Sequence, residues 1–255
     1  MKILTEADLR SSYADRDGDE VFVSEDTYVT PLAKEYIRTH GMKLTVGQSK
    51  TDKGTFGRGL MSYSAIPASG SARYVDYVTG RAYAEKPEHM THLRGNLLVR
   101  KNHPRILFRG KLDSLEALIM QTQLTAERDG YPRIAKELDE VMSFVQMILA
   151  CEVKDEPLPE IELLGMDTER LRYVSHHIHE EFGIRHSVPH YSMGEVCIAL
   201  NTLRTFVRET ELCAVDAFTV GSETQRTDII EALNRLSSCV YIIFCKKAAG
   251  KYDKR

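Results

Sequence analysis

The stretch LRTFVRETE, residues 203–211, decides how this chain must fold. If it is helical, Arg204, Arg208 and Glu211 fall at positions i, i+4 and i+7, so they point along one stripe of the helix. The apolar residues between them cover the flank that packs. Charged groups beside a core must pair with each other or bind an anionic ligand.

A second stretch, ALNRLSSCVYI at residues 232–242, repeats this pattern. It places Asn234 and Arg235 among leucine, isoleucine and valine residues at helical spacing. Together the two stretches predict two facing helices with a polar site between them.

Helical periodicity of the apolar residues extends back to Asp113, which we expect to open the first helix, and it continues after Pro132 in a second helix that includes Ile134 and Ile148. A third helix is predicted over residues 167–181, after an acidic break that contains prolines. Two long helices follow at residues 195–218 and 227–245. Five helices with short or medium loops predict a mainly α protein, an up-and-down bundle over residues 86–255.

Residues 1–85 predict a small α/β extension at the amino terminus. The evidence in the sequence is short runs of residues that favour strands, a proline at a helix start, and clusters of Gly and Ser. The predicted elements are strands at residues 20–24 and 43–46, a helix that begins at Pro31 with Thr30 as its cap, a mobile loop at 47–72, and a hairpin turning at Thr79 and Gly80.

The 255 residues carry a net charge of −3, which gives no general attraction to nucleic acid or to membranes. No apolar run reaches the length of a membrane span, and the first residues lack the apolar core of a signal peptide. We therefore expect a cytoplasmic protein. Its five cysteines are widely scattered, which favours reduced thiols packed in a core.

Residues 81–111 are strongly basic in this acidic protein. Eight cations stand against Glu85 and Glu88, a local balance of 8 − 2 = +6. The segment is either a solvated basic face or a polyphosphate site, because a triphosphate needs several converging cations. The cations are Arg81, Lys86, Arg94, Arg100, Lys101, Arg105, Arg109 and Lys111.

Three motifs carry a resemblance. RTxxRxxE at residues 204–211, LNRLS at 233–237 and KNHPRILFRGKLDSLEALI at 101–119 resemble the helix-bundle ATP:corrinoid adenosyltransferases of the PduO type. The amino-terminal part, including KPEHMTHL at 86–93, resembles the EutT-type branch of that family, which serves ethanolamine utilization. The resemblance covers nearly the whole chain, with the motifs in the family's order.

The resemblance implies roles for single residues. Asp113 would pair with Arg204 between neighbouring subunits and border the corrinoid, and Arg208 would complete the catalytic set. Glu209 stands where the PduO type usually has a second arginine, and we expect basic residues within 94–109 to replace that cation. The residues implied to bind ATP are Lys86, Thr91, Lys101, Arg208, Glu211 and Asn234.

The phosphate loop departs from the family pattern. The usual Gly-Asp-Lys-Gly falls on residues 86–89, which are Lys-Pro-Glu-His here. Either Lys86 contacts the phosphates from a shifted position, or the loop binds ATP differently. The segment TDKGTFGRG at residues 51–59 is an alternative phosphate loop.

The resemblance also places the floor of a corrinoid pocket just before the arginine helix. There an apolar or aromatic side chain would push the lower axial ligand off cobalt. A plain connecting loop is the alternative. The candidates for the floor are Phe182, His186, Val188 and Tyr191.

No transition-metal site is predicted. His176 and His179 could share one ligand face, but no nearby cysteine completes a zinc set, which favours a solvated histidine face. Some EutT-type proteins carry a His/Cys metal motif, yet this chain has neither residue type between Thr45 and Glu88. We therefore expect only Mg²⁺, together with ATP.

The activity implied by the resemblance is transfer of the 5′-deoxyadenosyl group of ATP to cob(I)alamin. A non-catalytic carrier that delivers adenosylcobalamin to a lyase is an alternative, and an interaction protein that binds acidic partners or RNA is another. The implied assembly is a homo-oligomer, a trimer or, with the extension, a dimer. Implied partners are ethanolamine ammonia-lyase or its reactivase and a cobalamin reductase, with association to a bacterial microcompartment.

Overall fold

The computed structural model describes residues 2–6, 9, 20–24, 27–47, 73–185 and 188–253. The chain divides into two compact units, Met1–Ser64 and Ala65–Arg255. The sequence predicts a boundary between residues 85 and 86. In the structure the strands at residues 74–76 and 82–83 belong to the same sheet as residues 90–100, and so to the second unit.

The first unit contains the predicted α/β elements. Strand β1 (Lys2–Leu4) pairs in parallel with β3 (Thr27–Val29), and β2 (Glu20–Ser24) pairs in parallel with β4 (Lys43–Gly47). Helix α1 (Pro31–Thr39) begins as expected, with the Thr30 side chain accepting a hydrogen bond from the Ala33 amide at 3.3 Å. The loop predicted at 47–72 lies outside the described residues, apart from Gly47.

A four-stranded sheet opens the second unit. Its strands are β5 (Tyr74–Asp76), β6 (Ala82–Tyr83), β7 (Met90–Arg94) and β8 (Leu97–Arg100), in the order β6-β5-β8-β7. The first two form the predicted hairpin, with Gly80 at a positive φ of 71°. Strand β7 lies at an edge and carries a bulge between His92 and Arg94.

Four long helices form the bundle: α2 (Pro104–Arg128), α3 (Pro132–Lys154), α6 (Glu195–Phe218) and α7 (Thr227–Ala248). Neighbouring helices run in opposite directions. Lys111 of α2 contacts Glu209 of α6, and Arg128 of α2 contacts Glu195 of α6. Residue numbers therefore increase along α2 in the direction in which they decrease along α6. These contacts confirm the mainly α, antiparallel bundle.

The third predicted helix is broken. It forms α4 (Thr168–His176) and α5 (Ile178–Phe182), where we expected one helix over 167–181. The break falls at His177, whose ring lies 2.8 Å from the Tyr173 carbonyl and stacks on the Tyr173 ring. The His177 backbone leaves the helical region, with φ −116° and ψ 39°, and so separates α4 from α5.

Short elements join the helices. Two-residue strands β9 (Glu162–Leu163) and β10 (Met166–Asp167) form one hairpin, β11 (Thr219–Val220) and β12 (Glu223–Thr224) form another, and a 3₁₀ helix spans Tyr191–Met193. In the part of the chain that the structure describes, no helix is long and apolar enough to cross a membrane.

The bundle encloses a continuous core. Fully buried members from each long helix include Leu112, Leu138, Leu203 and Leu236. All five cysteines are free thiols, as predicted, and Cys197, Cys239 and Cys245 are buried. Burial raises the pKa of the Cys245 thiol to about 11.

Candidate functional site

The seam between α6 and α7 carries the polar residues predicted there. Asn234 of α7 donates a hydrogen bond to Glu211 of α6 at 3.0 Å. Arg208 lies one helical turn before Glu211 and is exposed. Among the residues that the structure describes, Arg208 has neither a hydrogen bond nor an ion pair. The seam therefore offers a positioned amide–carboxylate pair next to an unpaired cation.

Arg204 lies on the same stripe but is held in place. Its guanidinium donates to the Asn201 side-chain oxygen at 3.1 Å and lies 5.8 Å from the centre of the Tyr241 ring of α7. Burial, together with the neighbouring Cys245, raises the pKa of Tyr241, so that ring stays protonated and neutral. The prediction that the two helices face each other across polar groups is confirmed.

The implied phosphate-binding residues converge at the open end of the β7–β8 hairpin. Thr91 pairs with Val99, and the Lys101 amide donates to the His89 carbonyl at 3.0 Å. The Lys101 ammonium lies 2.8 Å from Glu88, and the Lys86 ammonium donates to the carbonyl of Met90, the first residue of β7, at 3.4 Å. The Lys101 ammonium holds the pKa of the Glu88 carboxyl below its usual range.

Several cations of the basic segment form ion pairs that join parts of the fold. Arg105 and Arg109 both bind the fully buried Glu152 of α3, at 2.6 Å and 2.5 Å. Arg94 binds Asp155 at the end of that helix. These three cations are already paired with carboxylates of α3 and of its carboxyl-terminal cap, so they are poor replacements for an arginine at position 209. For Arg100 and Lys101, the other cations within 94–109, that expectation stays a prediction.

Glu209 forms an ion pair with a lysine of α2. The Lys111 ammonium of α2 lies 3.2 Å from the Glu209 carboxylate and 4.5 Å from the centre of the Phe206 ring. The pair ties α2 to α6 beside Arg208. The charge at position 209 is therefore balanced across the seam between these two helices.

Asp113 does not open a helix. It lies inside α2, about 2.5 turns after Pro104, and is exposed. Its neighbours on the helix surface, Arg109 and Glu116, both contact α3. Asp113 thus lies on the α3 side of α2, whereas Arg204 faces α7.

The two halves of the implied site are also far apart within one chain. Arg105, near Lys101 at the start of α2, lies 5.6 Å from the Phe218 ring at the end of α6. Arg208 precedes Phe218 by ten residues, which is about 15 Å along a helix. The hairpin and the α6–α7 seam are therefore separate surfaces of a single chain.

The candidates for the corrinoid floor fall in different places. Tyr191 is 82 % exposed and lines a groove of about 480 Å³ between α2 and α6, and nearby Val188 is 84 % exposed. Phe182 instead borders a cleft of about 680 Å³ formed with Arg133 and the carboxyl-terminal Tyr252. His186 lies outside the described residues, as does the alternative phosphate loop at 51–59.

The histidines of the HHIH motif are accessible. His176 and His179 are exposed. Among the described residues, no group of three or more His, Cys, Asp or Glu side chains could hold a metal ion.

Sequence reasoning missed Glu152, the buried carboxylate at the centre of the arginine cluster. A signal was present. Glu152 follows Val145 and Ile148 at the spacing of the apolar stripe of α3, so a helix that buries those residues also buries Glu152. A carboxylate at such a position requires a cation from elsewhere in the chain.

Comparison with known proteins identifies the family. Residues 82–247 match the family model of cobalamin adenosyltransferases, which is most of the chain. This chain belongs to the cobalamin adenosyltransferase family. The match begins at the β5–β6 hairpin and ends in α7, so it contains both polar surfaces described above.

Curated relatives extend the similarity over almost the full length. The corrinoid adenosyltransferase EutT of Salmonella typhimurium is 31% identical over 96% of this chain and 92% of its own. EutT of Escherichia coli K12 is also 31% identical, over 94% of this chain and 90% of its own. The EutT-type resemblance is thereby confirmed. No solved structure matches this cobalamin adenosyltransferase.

Proposed function

We propose that this protein is an ATP:cob(I)alamin adenosyltransferase of the EutT type. The observation that carries the proposal is Arg208, an exposed and unpaired cation beside the Glu211–Asn234 hydrogen bond, in a chain of this family. A free guanidinium next to a fixed carboxylate–amide pair suits a nucleotide. The cation binds phosphate oxygens, and the pair binds hydroxyl and amine groups.

The proposed chemistry needs no acid, base or nucleophile from the protein. Cob(I)alamin attacks the C5′ carbon of ATP, the C5′–O bond breaks, and triphosphate leaves with its electron pair. The protein positions the two substrates and stabilises the charge on the leaving group. Arg208 and Lys101 are the cations we assign to this task, with Lys86 and Thr91 beside Lys101.

The separation of the two surfaces favours a site made by two chains. The hairpin residues and Asp113 of one chain would meet Arg204, Arg208 and Asn234 of another, and Asp113 would then pair with Arg204. We therefore propose a homo-oligomer, a trimer in preference to a dimer.

The metal requirement follows from the ligand chemistry. Mg²⁺ is held in many nucleotide sites mainly by phosphate oxygens and waters. We propose that Mg²⁺ arrives with ATP. It would help to neutralise the triphosphate.

The biological setting is proposed from the relatives' place in ethanolamine utilization. A cobalamin reductase would supply the Co(I) substrate, and ethanolamine ammonia-lyase or its reactivase would receive the product. We place the protein in the cytoplasm, in association with a bacterial microcompartment. The corrinoid would lie against the loop that carries Val188 and Tyr191.

The proposal is tested by substituting Arg208. Arg208→Ala should lower kcat/KM for adenosylcobalamin formation by ~10²–10³, the effect of losing one preorganised donor to a developing anion. Arg172→Ala, which removes another exposed helical arginine, is the matched control and should retain activity.

Both products must be measured. Adenosylcobalamin formation is followed by absorbance and triphosphate release by chromatography, with ATP and chemically reduced cobalamin as substrates. A wild-type protein that binds both substrates but releases no triphosphate would be the carrier instead. An Arg208→Ala variant as active as the Arg172→Ala control would remove Arg208 from the site.

A further inference from the structure

Strand β7, which carries Thr91, is an edge strand with an interrupted ladder. Among the strands that the structure describes, it pairs only with β8, and its register shifts between His92 and Arg94. An edge strand with a bulge leaves backbone groups that need partners elsewhere. The geometry of this strand therefore depends on what binds its free carbonyls.

Arg109 of α2 binds those carbonyls. Its two terminal nitrogens donate to the carbonyl oxygens of His92 at 3.2 Å and Leu93 at 2.8 Å. Its third nitrogen, Nε, donates to a carboxylate oxygen of Glu152 at 2.5 Å. The planar guanidinium thus joins the edge strand, α2 and α3 through one rigid group.

Glu152 fixes the orientation of Arg109. Its side chain is fully buried, and its other oxygen accepts from Arg105 Nε at 2.6 Å. Arg105 also donates to the Glu152 carbonyl at 3.0 Å. Each carboxylate oxygen therefore has a charged donor, which is the condition under which a buried ion pair is tolerated.

A third arginine, which lies on the strand, also links β7 to α3. Arg94, the last residue of β7, binds Asp155, which caps the end of α3 in a left-handed conformation with φ 61°. The strand is thus fastened to the bundle at the bulge and at its end. Three arginines and two carboxylates make these contacts.

We propose that Arg109 and Glu152 are positioning residues for the nucleotide end of the site. They touch no substrate. They fix the β7–β8 hairpin on the α2–α3 pair, and so set where Thr91 and Lys101 point. This inference rests on the proposed function, and it adds a role for a buried cluster that lies outside the proposed site.

Two variants test the proposal, one that changes the shape of the cation and one that removes the buried charge. Arg109→Lys keeps the charge, but an ammonium cannot span Glu152 and two carbonyls as the guanidinium does. Glu152→Gln keeps the shape and removes the charge that both arginines share. If Glu152→Gln does not fold, Arg109→Lys still decides the question. The control is Arg128→Gln, an ion-paired arginine at the far end of the same helix.

The first readout separates positioning from stability. Arg109→Lys should raise KM for ATP and lower kcat, so that kcat/KM for ATP falls by ~10-fold or more, while KM for the corrinoid changes less than about twofold. A displacement of about 1 Å is enough for effects of this size. A merely structural role would lower Tm and leave the two KM values in their wild-type ratio.

The second readout needs no activity. Hydrogen exchange of the backbone amides in Met90–Arg94 and Leu97–Arg100 should accelerate in Arg109→Lys, while amides of α6 and α7 keep their protection. Wild-type activity with an unchanged KM for ATP in the variant would overturn this inference alone. An inactive wild-type enzyme would instead overturn the proposed function.

Discussion

Lowering the pH should destabilise this protein through one histidine, His103. It caps α2, and its Nδ1 accepts a hydrogen bond from the Arg105 amide at 3.2 Å. Only an unprotonated Nδ1 can accept this bond. Burial, reinforced by the charges of Arg105 and Arg109 and opposed by Glu152, lowers the pKa of His103 from 6.5 to about 4.

The sign and size of this pH effect on stability follow from the difference between the folded and unfolded pKa values of His103. A folded pKa below the unfolded value means that this contribution to stability is complete above about pH 6.5 and is lost as the pH falls toward 4. The interval from 6.5 to about 4 corresponds to about 3 kcal/mol at 1.4 kcal/mol per pH unit. We discount this to about 2 kcal/mol because the ring is partly exposed to solvent.

The assay is urea unfolding at pH 7.5 and pH 4.5 for the wild type and His103→Asn. Asparagine caps a helix as well as histidine does here, but it does not titrate. Between the two pH values the wild type should lose about 1–2 kcal/mol more unfolding free energy than the variant. The many carboxylates titrate in both proteins and cancel in the difference. Equal losses in the two proteins would refute the reasoning.

The remaining predictions concern assembly and metal. Asp113→Asn and Arg204→Ala should each weaken oligomerisation or corrinoid binding, and the double mutant should lose less than the sum. Fully additive losses, measured by sedimentation and corrinoid titration, would show that the two are not partners. The purified protein should contain less than one transition metal per chain, and activity should survive a transition-metal chelator once Mg²⁺ is restored. Stoichiometric zinc or iron lost together with activity would contradict this and direct attention to His176, His179 and Cys151.

The helices were predictable where the apolar stripe is continuous. The 3.6-residue period located α6 and α7 closely, because their buried positions carry leucine, isoleucine, valine and cysteine. The predicted start of α2, Asp113, lies about 2.5 turns after the true start, because the apolar stripe is not continuous there. Its first turns place Arg105 and Arg109 on a face that binds a buried carboxylate, so the apolar period is interrupted there.

The division of the basic segment could not be predicted from local composition. Eight cations in 31 residues indicate a polyphosphate site when they are counted along the chain. Their partners Glu152 and Asp155 lie more than forty residues further on, and only the antiparallel packing of α2 on α3 brings them together. A local charge count therefore contains no information about this pairing.

These contacts distinguish two kinds of arginine in the molecule. Arg105 and Arg109 share a buried carboxylate, and taking either one away to bind a ligand would leave Glu152 charged and unpaired, at a cost of several kcal/mol. Arg208 is exposed and gives up no protein partner among the described residues when it meets a phosphate. A binding cation must keep most of its interaction energy for the ligand. Arg208 therefore suits the leaving triphosphate, and the more basic segment 81–111 contributes chiefly through the lysines at its exposed hairpin end.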